Sequence, residues 1–392
     1  TTGFGGLMTG IGLSVGFGII LGQLMSDSGG ARVIARTLVN ALSDRFAMLG
    51  LAFAAFVLSI PVFYDVTFVI LVPLAIAIAR EAKKPVPLAI GSVALGAGTA
   101  HTLVPPTPNP LAAGDIMGFD VGMMLIVGGI GGLIAVILGV FVYSALLPKV
   151  WNPSMDVSGD PAFQAVPGED KNPGFLLSLL PILTPLVLIL TNTIWGSLSD
   201  AKPEWMSFLG DKTVALLLGT LIAYLVASRT MKLPEMEESA NQGIRSAGIV
   251  LLITGAGGSF GQVIADAGIG ELIAESVSSI GGSHILALLA CYAVGAAFRL
   301  AVGSGTVASI TTMTIFASLA PTIGVHPVWV AVACLAGALS LGQINDSGFW
   351  VTAKIPGYSV TGGLKVYTLP EFIASVIVLV YVLIGSSILP MG

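Results

Sequence analysis

Three consecutive polar residues near the end of the chain, Asn345, Asp346 and Ser347, lie shortly after the long uncharged run "VHPVWVAVACLAGALSL" (325–341), from which only Gly342, Gln343 and Ile344 separate them. A carboxylate between an amide and a hydroxyl can carry a proton, bind a cation or cap the end of a broken helix. A second carboxylate, Asp65 in "PVFYDVT", lies in another apolar region beside the hydroxyl of Tyr64. Because polar groups inside apolar segments are costly, the elements that hold these residues must be identified first.

The composition is typical of a protein that crosses a membrane several times. Apolar residues make up 55% of the 392 residues, only 9% are charged, and the mean hydropathy is +0.96. A helix needs about 20 apolar residues to cross the hydrocarbon. Runs that approach this length lie near 5–25, 88–104, 121–147, 174–194, 212–228, 246–265, 327–345 and 367–388. We therefore predict an all-α polytopic membrane protein, in which Cys291 and Cys334 are buried thiols rather than a disulfide framework.

The sequence contains an internal repeat. The segment "ILGQLMSDSGGARVIA" (20–35) matches "SFGQVIADAGIGELIA" (259–274) at a constant offset of 239. The matched pairs are Gly22 with Gly261, Gln23 with Gln262, Asp27 with Asp266, Gly29 with Gly268 and Ala35 with Ala274. Further along, "SIPVFYDVT" corresponds to "FRLAVGSGT", and "ALGAGTAHTLVPPTPNP" corresponds to "LAGALSLGQINDSGFWV". Each half is therefore predicted to contain a helix, an interrupted apolar segment and a helix broken by polar residues or prolines.

This repeat predicts how the chain is divided. We expect a first inverted repeat at 1–147, a cytoplasmic linker at 148–173 and a second inverted repeat at 174–392. In the second half two helices precede the repeated Gly-Gln segment, whereas the first half begins directly with that segment. We therefore expect two further helices before Thr1 in the intact protein.

The basic residues predict the orientation of each half. They flank the first interrupted segment on both sides: Arg32, Arg36, Arg45, Arg80, Lys83 and Lys84. Both ends of this segment should face the cytoplasm, and its length of 34 residues (46–79) is too great for one crossing and short for two. A re-entrant hairpin with its tip near Pro61 to Asp65 is the prediction.

The second interrupted segment, at about 284–325, is preceded by acidic residues and has no lysine or arginine on either side near it. Its ends should face outside. This segment is also long enough to cross the membrane twice. The prediction of a second hairpin therefore depends on its correspondence to the first interrupted segment in the repeat. Under this topology 13 of the 16 basic residues lie inside, which predicts inverted halves with one hairpin entering from each face.

The tips of the hairpins and the breaks in the helices form the predicted site. Its residues are Tyr64, Asp65 and Thr67 from the first tip, Ser304, Gly305 and Thr306 from the second, and His101, Thr107, Asn109, Asn345, Asp346 and Ser347 from the breaks. A glycine-rich tip followed by a helix start suits a carboxylate or another anion, although helix packing by small residues is an alternative. Arg299 could hold the charge of the substrate or pair with an acid.

Proton coupling would require a group that titrates near neutral pH, and Asp65, Asp346 and His101 are the candidates in that order. Asp65 could instead be a hairpin-tip acid exposed to water, and His101 a packing residue. The three histidines form no HExxH pattern, and "GAGGSFG" (255–261) lacks the GxGxxG spacing. We expect no metal, no cofactor and no nucleic-acid partner.

Four of these segments together resemble the gluconate:proton symporter family, which is part of the ion-transporter superfamily of elevator-type carriers. The segments are "LITGAGGSFGQVIADAGI", "FRLAVGSGTVASIT", "HTLVPPTPNP" and "INDSGFW". The resemblance implies proton-coupled uptake of gluconate or a related sugar acid or organic carboxylate. It also implies a homodimer in the bacterial inner membrane and a mobile domain that carries the organic anion. The proline run and Thr67 depart from the family pattern near the expected pocket, which leaves the identity of the acid open.

Two other functions remain open at this stage. A sodium-coupled di- or tricarboxylate carrier of the same superfamily would share the architecture, since carbonyls at helix breaks can coordinate Na⁺. A membrane-embedded hydrolase could use Asp65 and Asp346 as an acid pair. The sequence contains no signature of such an enzyme, and the inverted halves argue against it.

Overall fold

The computed structural model describes residues 1–41, 44–158, 171–198, 203–268, 283–317 and 323–391. Within these ranges regular structure is helical, and extended backbone pairs only in an isolated antiparallel bridge between Val157 and Tyr358. Among the described helices, seven are long and apolar enough to cross a membrane. The prediction of an all-α polytopic protein is confirmed.

In the part of the first half that the structure describes there are seven helices, with a short 3₁₀ turn at Asp44–Phe46 before the third. They are α1 (Thr2–Asp27), α2 (Gly30–Asn40), α3 (Ala47–Leu58), α4 (Tyr64–Glu81), α5 (Val86–Leu103), α6 (Pro108–Met117) and α7 (Val121–Val150). The helices α3 and α4 form the first helix pair and occupy the predicted first interrupted segment.

The second half begins with a single turn, and the other helices of the described residues follow it. They are α8 (Pro153–Asp156), α9 (Phe175–Leu198), α10 (Glu204–Leu209), α11 (Lys212–Ala227), α12 (Leu233–Asp266), α13 (His284–Val302), α14 (Gly305–Phe316), α15 (Pro327–Leu339), α16 (Ser347–Lys354), α17 (Val360–Gly363) and α18 (Leu369–Ile388). A π-helical turn, Leu364–Thr368, joins α17 to α18. The helices α13 and α14 form the second helix pair.

Some predicted boundaries differ from those of the structure. The run 327–345 contains a helix that ends at Leu339, because the chain leaves the helical conformation at Ser340 and resumes it only at Ser347. The helix expected at 246–265 begins at Leu233, since residues 233–245 are mostly polar and carry no hydropathy signal. Residues 159–170 of the predicted linker, 269–282 of the second repeat and 318–322 of the predicted second hairpin lie outside the described residues.

Two helices of the core are interrupted where their sequences cannot continue a helix. The first break, 104–107, separates α5 from α6 at prolines, which lack the backbone N–H and clash with the preceding turn. The second break, 340–346, separates α15 from α16, and the Asp346 side chain caps the new helix by accepting from the Gly348 N–H at 2.9 Å. Both breaks therefore expose backbone groups in the middle of the bundle.

Burial places these broken helices at the centre. Every residue from Val328 to Leu339 of α15 is buried, and so is every residue of α5 from Leu88 to Leu103 except the half-buried His101. The helices α7, α9 and α12 instead expose many large apolar side chains, as expected of surfaces in contact with lipid. The broken helices are thus enclosed by the rest of the bundle, which satisfies the requirement that irregular backbone be buried in protein.

Residues matched by the repeat have similar surroundings in the two halves. Gln23 donates to the carboxylate of Asp27 at 3.0 Å, and Gln262 donates to that of Asp266 at 2.8 Å. The packing partners correspond as well: α3 and α7 pack on α5, as α13 and α18 pack on α15, and α1 lies along α12. This arrangement brings the turns of both helix pairs and the two breaks to one region.

Candidate functional site

A cavity of about 460 Å³ lies between the turns of the helix pairs and the two breaks. Ten of the twelve predicted site residues line it: Tyr64, Asp65, His101, Asn109, Ser304, Gly305, Thr306, Asn345, Asp346 and Ser347. The cavity has the size of a small-molecule site. Four segments that are distant in the sequence therefore meet at one place.

Two predicted residues, Thr67 and Thr107, do not line this cavity. Thr67 is fully buried, and its hydroxyl donates to the carbonyl of Val62 at 3.4 Å. The hydroxyl of Thr107 donates to the carbonyl of Val104 at 2.9 Å, across the first break. Both side chains bond to the backbone of the irregular segments, so in this structure they stabilise the walls rather than face the cavity.

The first helix pair contributes Tyr64 and Asp65 from the first turn of α4. The hydroxyl of Tyr64 lies 2.6 Å from that of Thr352 on α16, which ties this turn to the helix after the second break. Asp65 is exposed at the cavity and has no hydrogen bond or ion pair with another described side chain. A free carboxylate at the start of a helix is compatible with the positive end of the helix dipole.

The second helix pair turns at Gly303, whose φ of +81° lies in the left-handed region that favours glycine. A Cβ atom at this position would come within 2.2 Å of the carbonyl oxygen of Asn345. Ser304 then caps α14 by accepting from the Val307 N–H at 3.3 Å. The first-turn N–H groups of Gly305 and Thr306 have no intrahelical partners, and such groups bind anions.

The second break carries the main charges of the site. Asp346 pairs with Arg299 of α13 and accepts from the hydroxyl of Tyr367 at 2.7 Å. Arg299 also donates to the carbonyl of Gly303 at 2.8 Å and to the Tyr367 hydroxyl at 3.0 Å. Glu371 of α18 lies 3.5 Å from the same guanidinium, at ion-pair distance but without hydrogen-bond geometry. We call Arg299, Asp346, Tyr367 and Glu371 the arginine cluster.

Asp346 therefore has two observed roles, as a helix cap and as a partner of a buried arginine. Arg299, left open between a substrate contact and an acid pair, is paired with acids in this structure. Its side chain is buried, so the two carboxylates offset a charge that would otherwise be very costly. The cluster has one positive and two negative groups when both acids are ionised.

Two polar residues that flank the first break, His101 and Asn109, line the same cavity, and each has one unpaired polar atom. Nδ1 of His101 and Oδ1 of Asn109 are buried and have no hydrogen-bond partner. The His101 ring lies 5.4 Å from that of Phe63, measured between centroids. Buried polar atoms without a partner are rare in folded proteins, so a polar group that reached either atom would satisfy it.

Two further residues, Glu371 and Tyr367, line the cavity and are not among the residues predicted from the sequence. Glu371 is a single acid in the apolar segment "YTLPEFIASV", and that was a usable signal, because buried intramembrane acids are functional candidates. Tyr367 had no comparable signal. It reaches Asp346 from the π-helical turn, whose extra residue per turn cannot be seen in the hydropathy pattern.

Comparison with known proteins identifies the family to which this cavity belongs. Residues 1–388 match the family described as GntP family permease. The chain belongs to this family. A gluconate permease of Pseudomonas aeruginosa is 32% identical to it over 99% of this chain and 87% of its own length. The inner membrane permease YgbN of Escherichia coli is 32% identical over 93% of this chain and 83% of its own length.

The GntP family permease also has a known relative in fold. The crystal structure of the YdaH transporter of Alcanivorax borkumensis is similar with a TM-score of 0.70 at 17% identity, over 100% of this chain and 89% of that one. At this identity the likeness concerns the fold alone. Together with the seven apolar helices, family membership confirms a multi-pass protein of the bacterial inner membrane that is a transporter rather than an enzyme.

Proposed function

We propose that this GntP family permease is a secondary active transporter that takes up gluconate or a related sugar acid together with a proton. The observation that carries the proposal is the cavity between the helix turns and breaks, with Arg299 held beside two carboxylates. The name of the Pseudomonas aeruginosa relative, a gluconate permease, supports the choice of acid. A hydroxylated carboxylate also matches the chemistry of the walls.

The proposed binding mode uses both ends of such a substrate. Its carboxylate would lie near the free N–H groups at the start of α14, close to Arg299. Its hydroxyls would bond to the side chains of Asn109, Ser347 and Thr306, which line the same cavity. Because Oδ1 of Asn109 has no partner in the protein, a substrate hydroxyl would satisfy it.

The charge of the arginine cluster supports the proposed proton coupling. With Asp346 and Glu371 ionised, the cluster has a net charge of −1, and a bound carboxylate would make it −2. An uncompensated charge in a buried site is strongly unfavourable. A proton on one carboxylate would restore the balance and link its transport to that of the substrate. Asp65, Asp346 and His101 remain the proposed carriers, and we add Glu371, whose Oε2 has no hydrogen-bond partner.

We further propose alternating access by an elevator movement in a homodimer. The two helix pairs, as re-entrant hairpins, would close the cavity from opposite faces, and the broken helices would move with them. The exposed apolar faces of α7, α9 and α12 would contact lipid or the second protomer. The oligomeric state can be measured by mass photometry of the purified protein in detergent.

The proposed function is tested by uptake into proteoliposomes. The panel contains gluconate, other sugar acids, hydroxy acids, dicarboxylates and D-amino acids, each offered under a proton gradient and separately under a sodium gradient. We expect gluconate or another sugar acid to accumulate when the interior is alkaline, without sodium. Accumulation that follows only the sodium gradient would show the sodium-coupled alternative to be right, and the absence of uptake of every sugar acid would contradict the substrate class.

A further inference from the structure

A second cavity, of about 380 Å³, lies away from the substrate cavity and shares no lining residue with it. It is formed where the 3₁₀ turn before α3, the start of α5 and the end of α7 meet. Arg45 and Phe46 of the turn line it, and so do Lys84 and Pro85, which precede α5. The two cations flank the first helix pair, since Arg45 precedes α3 and Lys84 follows α4.

The walls of this cavity combine apolar surface with positive charge. Phe46, Leu88, Val140 and Leu147 provide apolar side chains, whereas the described lining includes two cations and no aspartate or glutamate. The guanidinium of Arg45 lies 5.6 Å from the centroid of the Phe46 ring, in a cation–π contact that restrains it. The start of α5 adds the positive end of a helix dipole. Such a site fits a molecule with an anionic head and an apolar body.

The surroundings of the cavity indicate where such a molecule comes from. On α7 the neighbouring side chains of Leu138, Phe141 and Val142 are exposed, and Phe141 itself lines the cavity. Trp151, just after α7, also lines it, and tryptophan is typical of the level of the lipid headgroups. The cavity therefore borders both the apolar belt and the interfacial region, and its cations belong to the loops that the positive-inside rule assigns to the cytoplasm.

We infer that this cavity binds one anionic phospholipid of the cytoplasmic leaflet, with the phosphodiester between Arg45 and Lys84 and an acyl chain along α7. Basic pockets between membrane helices are suited to anionic headgroups. Because the two cations come from opposite ends of the first helix pair, one lipid would connect both ends of the pair to α7. This inference is independent of the transported substrate.

The test is lipid retention by the purified, delipidated protein, measured by native mass spectrometry after addition of phosphatidylglycerol or phosphatidylcholine at equal concentration. We expect one tightly retained phosphatidylglycerol and no equivalent retention of phosphatidylcholine. In the double variant Arg45→Gln/Lys84→Gln its affinity should fall about 30-fold, since each basic residue near an anionic headgroup contributes a factor of about five. The matched control Arg80→Gln/Lys149→Gln removes the same charge from exposed residues that do not line the cavity, and it should retain the lipid.

A third variant, Ser144→Trp, fills the apolar part of the cavity and leaves both cations in place. It should also lower retention, because the site needs room for an acyl chain. Equal retention of the two lipids, or equal loss in the test and control double variants, would overturn the inference. Displacement of the lipid by millimolar inorganic phosphate would do so too, because it would show a site for a free anion rather than for a lipid.

Discussion

At the scale of single residues, the arginine cluster accounts for both the stability and the proposed chemistry of the site. Arg299 is buried, and its guanidinium contacts Asp346, Tyr367 and the Gly303 carbonyl. A buried ion pair adds little net stability, but removal of one partner leaves an unpaired charge. A change in the charge of this cluster is therefore strongly unfavourable. For the same reason, binding of an anion beside it would favour protonation of one of its carboxylates.

Replacement of Arg299 tests this argument. Arg299→Gln leaves Asp346 and Glu371 beside each other without a cation, and we expect a loss of roughly 3 to 5 kcal/mol in the free energy of unfolding and no uptake. Arg299→Lys keeps the charge but cannot bridge the same partners, so it should fold and transport poorly. Thermal unfolding and uptake are measured for both. A stable, active Arg299→Gln protein would contradict the proposed charge balance.

The carrier of the proton is tested by Glu371→Gln and Asp65→Asn, each of which removes one titratable group from the cavity. A variant that lacks the coupling proton should lose accumulation driven by a proton gradient and retain exchange of labelled for unlabelled substrate. Glu81→Gln, an exposed acid at the end of α4, is the matched control and should accumulate normally. A residue whose replacement leaves uphill uptake intact is excluded as the carrier.

Sequence patterns predicted the polar residues of the breaks because local chemistry marks them. An acid such as Asp346 beside an apolar run is visible without a structure. Glu371 is also visible as an acid, but its relation to Arg299 depends on the packing of α18 against the core, which no local pattern shows. Local patterns also do not show that Thr67 and Thr107 point away from the cavity, because the direction of a side chain depends on where its helix begins.

At the scale of elements, glycine and proline predicted where the helices would be interrupted. The prolines of the first break and the glycines of the second tip lie where the structure interrupts its helices. The lengths of the helices were harder to predict, because α12 begins with polar turns and α15 already ends at Leu339. The π-helical turn before α18 was not foreseen, since it depends on tertiary packing around Tyr367.

The close contact between the second tip and the second break is tested by Gly303→Ala. The left-handed backbone costs an alanine roughly 1 to 2 kcal/mol, and the Cβ atom would also clash with the Asn345 carbonyl, so uptake should be lost. Gly118→Ala is a matched control, because its φ is +73° and no heavy atom lies within 4 Å of the added carbon. The Gly118→Ala variant should lose stability only through the strain of its left-handed backbone, and it should retain transport. Equal effects of the two changes would show that the contact has no role.

At the scale of the whole molecule, the segment that follows α7 is attached to the end of the second half. Asp156 is fully buried and accepts hydrogen bonds from Lys365 Nζ at 2.7 and 2.8 Å and from the Asn152 N–H at 2.6 Å. Val157 and Tyr358 form the isolated bridge beside it. Lys365 belongs to the π-helical turn that carries Tyr367, so this contact connects the start of the linker region to the wall of the cavity.

This attachment is predicted to depend on pH. Burial raises the pKa of the Asp156 carboxyl, but hydrogen bonds from Lys365 and from the Asn152 N–H outweigh it, and the pKa lies below its usual value. A lowered pKa in the folded state gives stability that is present above the unfolded value of about 3.9 and is lost as the pH falls through the folded value. We expect Asp156→Asn to lower the free energy of unfolding by roughly 1 to 3 kcal/mol at pH 7.

Thermal unfolding at pH 7 and at lower pH measures this effect, and Asp266→Asn, an exposed acid on α12, is the control. The difference between wild type and Asp156→Asn should shrink as the pH falls below about 4. A difference that stays constant over this range would show that the carboxylate charge does not stabilise the contact.

The opposite orientation of the two halves is the broadest prediction and can be tested by cysteine labelling. Cys291 and Cys334 are buried, so the native thiols should not react with a membrane-impermeant maleimide. Lys84→Cys lies after the first helix pair, and Ser283→Cys lies just before the second. If the pairs enter from opposite faces, Ser283→Cys should be labelled in intact cells and Lys84→Cys only after permeabilisation.

Lys149→Cys at the end of α7 is the control for the cytoplasmic side, since it is exposed and follows the positive-inside rule independently of the hairpins. Labelling of Lys84→Cys and Ser283→Cys from the same side would contradict the inverted repeat. The proposed elevator movement would then lose its structural basis, because symmetric gates on the two faces require one helix pair to open toward each.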